Sequence, residues 1–269
     1  MSRLQALKDL RAKVKYLGAE RLLGFLLKMG IRGKAELFLP TLIERPEANR
    51  VLVLAPHPDD DVISCGGTLC KHVEADDEVM IAYMTDGSRG NTDLKESLNL
   101  VAKRNNEAQK AAAVLGVKRL KFLGFQDQKL EYFVADCASL IADILLDYEP
   151  DLVYLPFPLD YNPDHVAAAR IAVQAFESID YLCNIFAYET APPILPNRIV
   201  DITKQIDLKR RALRCHKSQM AQNDYVSVMI EGLGRYRTHG LLRGKGYAEA
   251  FFKCDGDYLA FLIKRMDGM

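Results

Sequence analysis

The sequence predicts an α/β protein with a mostly parallel sheet. Short apolar runs alternate with helical stretches from Val51 to Glu189, and Gly, Asp or Pro punctuates their ends. The runs Val51–Ala55 and Leu152–Leu155 are continuously apolar, as strands buried on both faces are. Repeated β-α-β units imply parallel strands joined by right-handed crossovers.

Each element has its own signal. Residues 1–48 read as an N-terminal helical extension, because Leu4, Leu7, Leu10, Val14 and Leu17 recur at helical spacing and Pro40 and Pro46 close the stretch. The main domain then covers 49–269. Val51–Ala55 is its first strand, and Gly66-Gly67-Thr68 is read as opening a helix that runs to Ala75. Glu78–Thr85 is a strand ended by Asp86-Gly87. Lys95–Leu115 is a helix stopped by Gly116. Arg119–Leu123 is a short strand, and Glu131–Tyr148 is a helix halted before Pro150. Asp151–Pro156 is a strand, Pro163–Ser178 a helix and Asn184–Glu189 a strand. Beyond Pro192-Pro193 the pattern weakens. Asn197–Ile202 reads as an edge strand, Lys204–Cys215 as a helix, and the glycine- and arginine-rich stretch 232–246 as a surface loop.

Composition narrows the function classes. The 269 residues are 49% hydrophobic, enough for a substantial core. Lys+Arg and Asp+Glu balance at 36 each, and without a basic block there is no electrostatic case for nucleic acid. The six cysteines form no CxxC pair, which argues against a thiolate zinc finger and fits free thiols in a reducing, cytoplasmic setting. No signal-peptide core and no apolar run of about 18 residues occur. The basic, amphipathic N-terminal stretch fits packing on its own domain, self-association into a homo-oligomer, or peripheral contact with a membrane surface.

The chemistry concentrates in Pro56-His57-Pro58-Asp59-Asp60-Asp61, directly after the first strand. Parallel sheets carry their chemistry just past the carboxyl ends of their strands. His57 and Asp60, three positions apart on a turn, can bend toward one point. A catalytic zinc takes three protein ligands of this kind plus water. The third candidate is His165, in Asp160-Tyr161-Asn162-Pro163-Asp164-His165, which also follows a buried strand. The competing reading makes the three acids a helix cap, but three are more than a cap needs. With Asp60 as ligand, Asp59 is free to act as general base toward a metal-activated water. Such a set suits hydrolysis of a carbonyl or amide bond. Imidazole and carboxylate suit Zn2+ and also Fe2+. No G-x-G-x-x-G follows the first strand, which argues against a nucleotide-binding Rossmann enzyme. Arg89, after the second strand, can overlook the crevice and contact a substrate, or can be a solvated loop arginine. Arg104 and Glu107 stand one turn apart, where an ion pair is possible, and structural support is favoured there over contact with substrate. Asp127 can line the site or merely turn the chain.

These residues resemble the PIG-L or LmbE-like family of zinc-dependent N-acetylglucosaminyl deacetylases. The hallmark (A/P)HPDDE appears as Pro56–Asp61, and Ser64-Cys65-Gly66-Gly67-Thr68-Leu69, Thr85-Asp86-Gly87, Arg104-Asn-Asn-Glu107-Ala108, Leu123-Gly124-Phe125-Gln126-Asp127, Pro163-Asp164-His165 and His216-Lys217-Ser218-Gln219 follow in the family's order. The resemblance spans Val51 to Gln219. It implies a Rossmann-like three-layer α/β sandwich, zinc on His57, Asp60 and His165, and Asp59 as general base. It also implies removal of an acetyl group from an N-acetylated amino sugar or its conjugate. Two positions depart from the pattern. The hallmark's final Glu is Asp61, a shorter acid expected to stand behind the ligands. The first His of the family's His-Pro-Asp-His is Asn162, which can donate a hydrogen bond to an oxyanion but cannot deliver a proton. Asp164 thereby loses its usual partner near the transition state. Asp59, His216 or His239 is then left as the proton donor to the leaving amine. Asn162 also motivates the alternative of a catalytically silent metal- or sugar-binding protein of the same fold.

Overall fold

A computed structural model describes residues 39–88, 94–190, 192–220, 224 and 226–267. Eight strands form one sheet: β1 (Thr41–Ile43), β2 (Arg50–Ala55), β3 (Glu78–Thr85), β4 (Arg119–Phe125), β5 (Leu152–Pro156), β6 (Asn184–Tyr188), β7 (Arg198–Asp201) and β8 (Ala248–Cys254). Their order across the sheet is β1-β7-β8-β6-β5-β2-β3-β4. All paired neighbours are parallel except β8, which runs antiparallel to both β6 and β7.

Every side chain from Val51 to Ala55 is fully buried, because alternate residues enter opposite layers. Val51, Val53 and Ala55 meet α1 (Asp60–Glu74), α2 (Leu94–Leu115) and α5 (Ile206–Leu213) through Val62, Leu69, Ala108, Ala112 and Leu213. Leu52 and Leu54 meet α3 (Val134–Tyr148), α4 (Pro163–Ile179) and α7 (Gly256–Asp267) through Ile141, Leu145, Ala168, Ile171 and Leu259. The result is the expected three-layer sandwich. A four-residue helix, α6 (Lys217–Met220), and a wide π-type turn over Val226–Gly234 complete the chain's course.

Strand order places the site. The chain builds outward from β2 to β3 and β4, then crosses back to lay β5 on the other side of β2. The direction of winding therefore reverses between β2 and β5, and a crevice opens there at the strands' carboxyl ends. His57 leaves β2 and the segment 160–165 leaves β5, so both motifs border that crevice.

Several expectations are corrected. Helix α1 starts at Asp60, and Gly66-Gly67 lies inside it. The glycines serve close packing: a Cβ on Gly67 would stand 2.7 Å from Ile202 Cβ. The Glu249 carboxylate also accepts the backbone N–H groups of Gly67 (2.8 Å) and Thr68 (2.7 Å) at this point. Of the stretch read as a helical extension, residues 1–38 lie outside the described residues, and Thr41–Ile43 is a strand paired with β7. Strand β7 is consequently internal, flanked by β1 and β8. Strand β8 and helix α7 were not anticipated. Part of 232–246 is core: Arg237 and Thr238 are buried, and Arg237 forks onto Glu189. Among the described residues no helix is long and apolar enough to cross a membrane, and all six cysteines are free thiols.

Candidate metal centre

The first acids are not spent on capping. Asp59 stands at the N-cap of α1 yet makes no capping bond with its side chain. Asp60 turns inward. Its Oδ2 lies 3.0 Å from His57 Nδ1 and 3.3 Å from His165 Nε2, and those two nitrogens are 3.3 Å apart. His57, Asp60 and His165 are all buried. The structure thus brings together three ligand-type atoms contributed by two strand ends.

The outer nitrogens explain why this cluster calls for a cation. His57 Nε2 lies 3.2 Å from Asp164 Oδ2 and 3.3 Å from Asp127 Oδ1. His165 Nδ1 lies 2.9 Å from Asp160 Oδ2, with Thr190 Oγ1 bonded to the same carboxylate at 2.8 Å. Beside carboxylates, each outer nitrogen must carry the hydrogen. The inner nitrogen of a neutral ring then presents a lone pair. Two lone pairs and a carboxylate oxygen converge on one point, and only positive charge reconciles them. Burial opposes charge on either imidazole, but Asp60 and the outer carboxylates outweigh it. The His57 pKa is raised well above its ordinary value and that of His165 to about 9. Burial likewise works against the Asp60 carboxylate, and His165 and His57 overcome it, holding its pKa well below the usual range. A divalent cation can take the place of those protons. Two nitrogens and one oxygen are a donor set that zinc and ferrous iron both accept.

The remaining residues are placed as follows. Asp59 is buried, and Arg104 Nη2 donates to its Oδ1 at 3.3 Å. Arg104 also donates through Nη1 to the Gly87 carbonyl at 2.9 Å and stands 3.5 Å from Asp127 Oδ2. Gly87 has φ +67°, and a Cβ there would meet Arg104 Nε at 2.8 Å, so glycine suits both the backbone and the approach of the guanidinium. Arg104 therefore faces the acids of the site. Glu107 instead accepts the backbone N–H (3.0 Å) and hydroxyl of Ser218. In place of the Arg104–Glu107 pair that the spacing allows, the two residues take these separate partners.

Asp164 does not lack a partner. It orients His57 and accepts the N–H groups of Gln128 (2.7 Å) and Leu130 (3.0 Å), tying the loop after β4 to the site. Asn162 caps α4, its side chain accepting the Asp164 N–H at 2.9 Å. Asp61 is fully buried and receives the Tyr83 hydroxyl at 3.2 Å. Burial, then the charge of Asp59, pushes its carboxyl up to about 7. Arg89 lies outside the described residues. His216 is fully buried and His239 exposed. Sequence reasoning overlooked Asp160, although an acid five residues before His165 was the available signal.

Fold and centre define a class: Rossmann-like sandwiches with a His/Asp metal-type centre at the switch point of the sheet. The chain belongs to the PIG-L family, GlcNAc-PI de-N-acetylase, which it matches over residues 52–176. It is 28% identical to a diacetylchitobiose deacetylase of Thermococcus kodakarensis over 79% of this chain and 86% of that one. It is 30% identical to a probable N-acetyl-alpha-D-glucosaminyl L-malate deacetylase 2 of Bacillus cereus over 74% and 91%. Among solved structures, N,N'-diacetylchitobiose deacetylase from Pyrococcus horikoshii superposes with a TM-score of 0.66 at 30% identity, over 89% of this chain and 94% of that one.

Proposed function

We propose that the protein is a metal-dependent hydrolase that removes the N-acetyl group from an N-acetylated amino sugar or its conjugate, yielding acetate and a free amine. The observation that carries this is the convergence of two imidazoles and one carboxylate beside an unligated Asp59, in a chain whose relatives are deacetylases of acetamido sugars.

His57, Asp60 and His165 hold the ion, with zinc the preferred candidate. When bound, a divalent cation lowers the pKa of water and polarises a carbonyl oxygen. Asp59 takes the proton of the attacking water as the amide carbon becomes tetrahedral. Arg104 keeps the Asp59 carboxylate aligned. The Asn162 oxygen is committed to the helix cap, which leaves its NH2 to donate to the developing oxyanion. As the C–N bond breaks, Asp59 returns the proton to the amine nitrogen, a task for which Asn162 has no acid. Asp61 and Asp164 hold the inner and outer walls of the cluster, and Arg89 is assigned to the sugar or its substituent.

The test is acetate and amine release from N-acetylglucosamine, diacetylchitobiose and larger conjugates, with metal content measured in the same samples. Zinc and ferrous iron restored separately to stripped protein identify the working ion. Metal-loaded protein that releases no acetate from any of these compounds overturns the reading. For location and partners we infer a cytoplasmic enzyme whose basic N-terminal stretch contacts a membrane surface or a second copy. Vesicle co-sedimentation and light scattering with and without residues 1–38 decide between them.

A further inference from the structure

His216 is an anomaly. It is fully buried, and neither ring nitrogen has a hydrogen-bond partner among the described residues. A neutral imidazole carries one donor and one acceptor, and sealing both away unpaired is costly unless they are used. Burial holds its pKa below the ordinary value, against the pull of the Asp59 and Glu107 carboxylates, so the ring is neutral.

Its setting is built rather than incidental. The next turn is clamped by Glu107, which accepts both the backbone N–H and the hydroxyl of Ser218. Glu107 stands one turn along α2 from Arg104, the residue that touches Asp59. One helix therefore holds the guanidinium on Asp59 and, three residues later, fixes the segment that carries His216. Arg104 reaches Asp59 through a single long bond of 3.3 Å, and its own buried Nε also lacks a partner. Hydrogen bonds of this kind are often long before substrate binds and tighten in the complex.

We propose that His216 is a positioning residue for Asp59: with substrate in place, its single N–H engages the Asp59 carboxylate that Arg104 also holds. This rests on the reading of Asp59 as general base. His216 touches neither substrate nor metal. It limits the carboxylate to the orientation from which a proton can be taken and returned, so it acts on kcat and leaves KM nearly unchanged.

The experiment is a double-mutant cycle with a second, activity-free readout. His216→Phe keeps the bulk and removes the donor, and His216→Gln restores a donor. The expected result is a 10- to 100-fold lower kcat for His216→Phe, with KM within about threefold and metal content unchanged, and at least a tenfold recovery for His216→Gln. In an Asp59→Asn background, His216→Phe should lower residual turnover no further. In wild-type protein labelled with 15N-histidine, the His216 ring N–H signal should shift on binding of the deacetylated sugar product, and Asp59→Asn should abolish that shift. A kcat within twofold of wild type for His216→Phe, an undiminished effect in the Asp59→Asn background, or a ring signal indifferent to Asp59 overturns the proposal. Should His216→Phe fail to fold, His216→Gln and the ring signal decide. Wild-type protein that releases no acetate sinks the base reading instead, and the ring signal still reports on the contact itself.

Discussion

Helix α1 carries a buried histidine–aspartate assembly at each end, and the two are electrostatic opposites. In its last turn His72 bonds Asp77 through Nδ1 at 2.6 Å and the Tyr154 hydroxyl through Nε2 at 2.9 Å. Asp77 is met in turn by Arg45 at 3.0 Å. Both nitrogens of one ring are satisfied by one acid and one hydroxyl, and burial lowers the His72 pKa. At the first turn, two imidazoles share Asp60 while three further carboxylates hold their outer nitrogens, and both imidazole pKa values rise. A closed His–Asp–Tyr chain needs nothing more and staples the segment before β2 to the sheet. With neutral rings the upper cluster has more acceptors than donors, so it asks for positive charge, from protons or from a cation. Burial is common to both, so burial does not mark function. The balance of donors and acceptors does.

The sharpest way to break the comparison is at the upper cluster. His165→Ala should lose both metal and turnover, whereas Asp59→Asn should keep the metal and lose about 10²- to 10⁴-fold in kcat, read by metal analysis and acetate release. Equal metal loss in both would make Asp59 a ligand rather than a base. Arg104→Gln should lower kcat by about 10²-fold with metal retained, and Gly87→Ala should do the same by displacing the guanidinium. Asp164→Asn should weaken metal affinity by about 10- to 100-fold in a competition titration with a chelator, because His57 loses its orienting acceptor.

Acid and base should separate the two ends next. In metal-free protein, the raised pKa values of His57 and His165 mean that the folded state holds more protons than the unfolded chain. Stability is then full below about 6.5 and is lost as pH rises toward about 9, seen as a falling Tm. Metal should flatten that slope. The lowered pKa of His72 works the other way, removing stability as pH falls below about 6.5. The smallest effect on catalysis is expected at the lower end: Tyr154→Phe should cost about 1–3 kcal/mol in denaturant unfolding and leave kcat unchanged. A change in kcat there would mean that the two ends of α1 are coupled.

Legibility differed from place to place for identifiable reasons. Strands β2, β3, β5 and β6 were readable because a buried parallel strand is a continuous apolar run. Helix α1 was misplaced because Gly66-Gly67 resembles a helix opening, when Ile202 and Glu249, far away in sequence, are what require it. The ligand candidates were readable because they follow strands. The tie of Arg104 to the acids of the site is not legible in the sequence, since its partners Asp59 and Asp127 come from other strand ends. Asp164 seemed orphaned because its partners, His57 and the loop after β4, are distant along the chain. Strand β8 escaped because an antiparallel strand near the carboxyl end continues no β-α-β rhythm.

By itself the sequence determined the alternating architecture, the strand ends that carry His57, Asp60 and His165, and the kind of ion they suit. Periodicity and ligand chemistry are properties of short segments. Only the tertiary structure decided that β5 lies against β2, that Asp60 is shared by two imidazoles, that Arg104 holds Asp59, and that His216 is sealed away without a partner among the described residues. Those relations join residues tens of positions apart, and strand order and helix packing, to which the whole core contributes, bring them into contact.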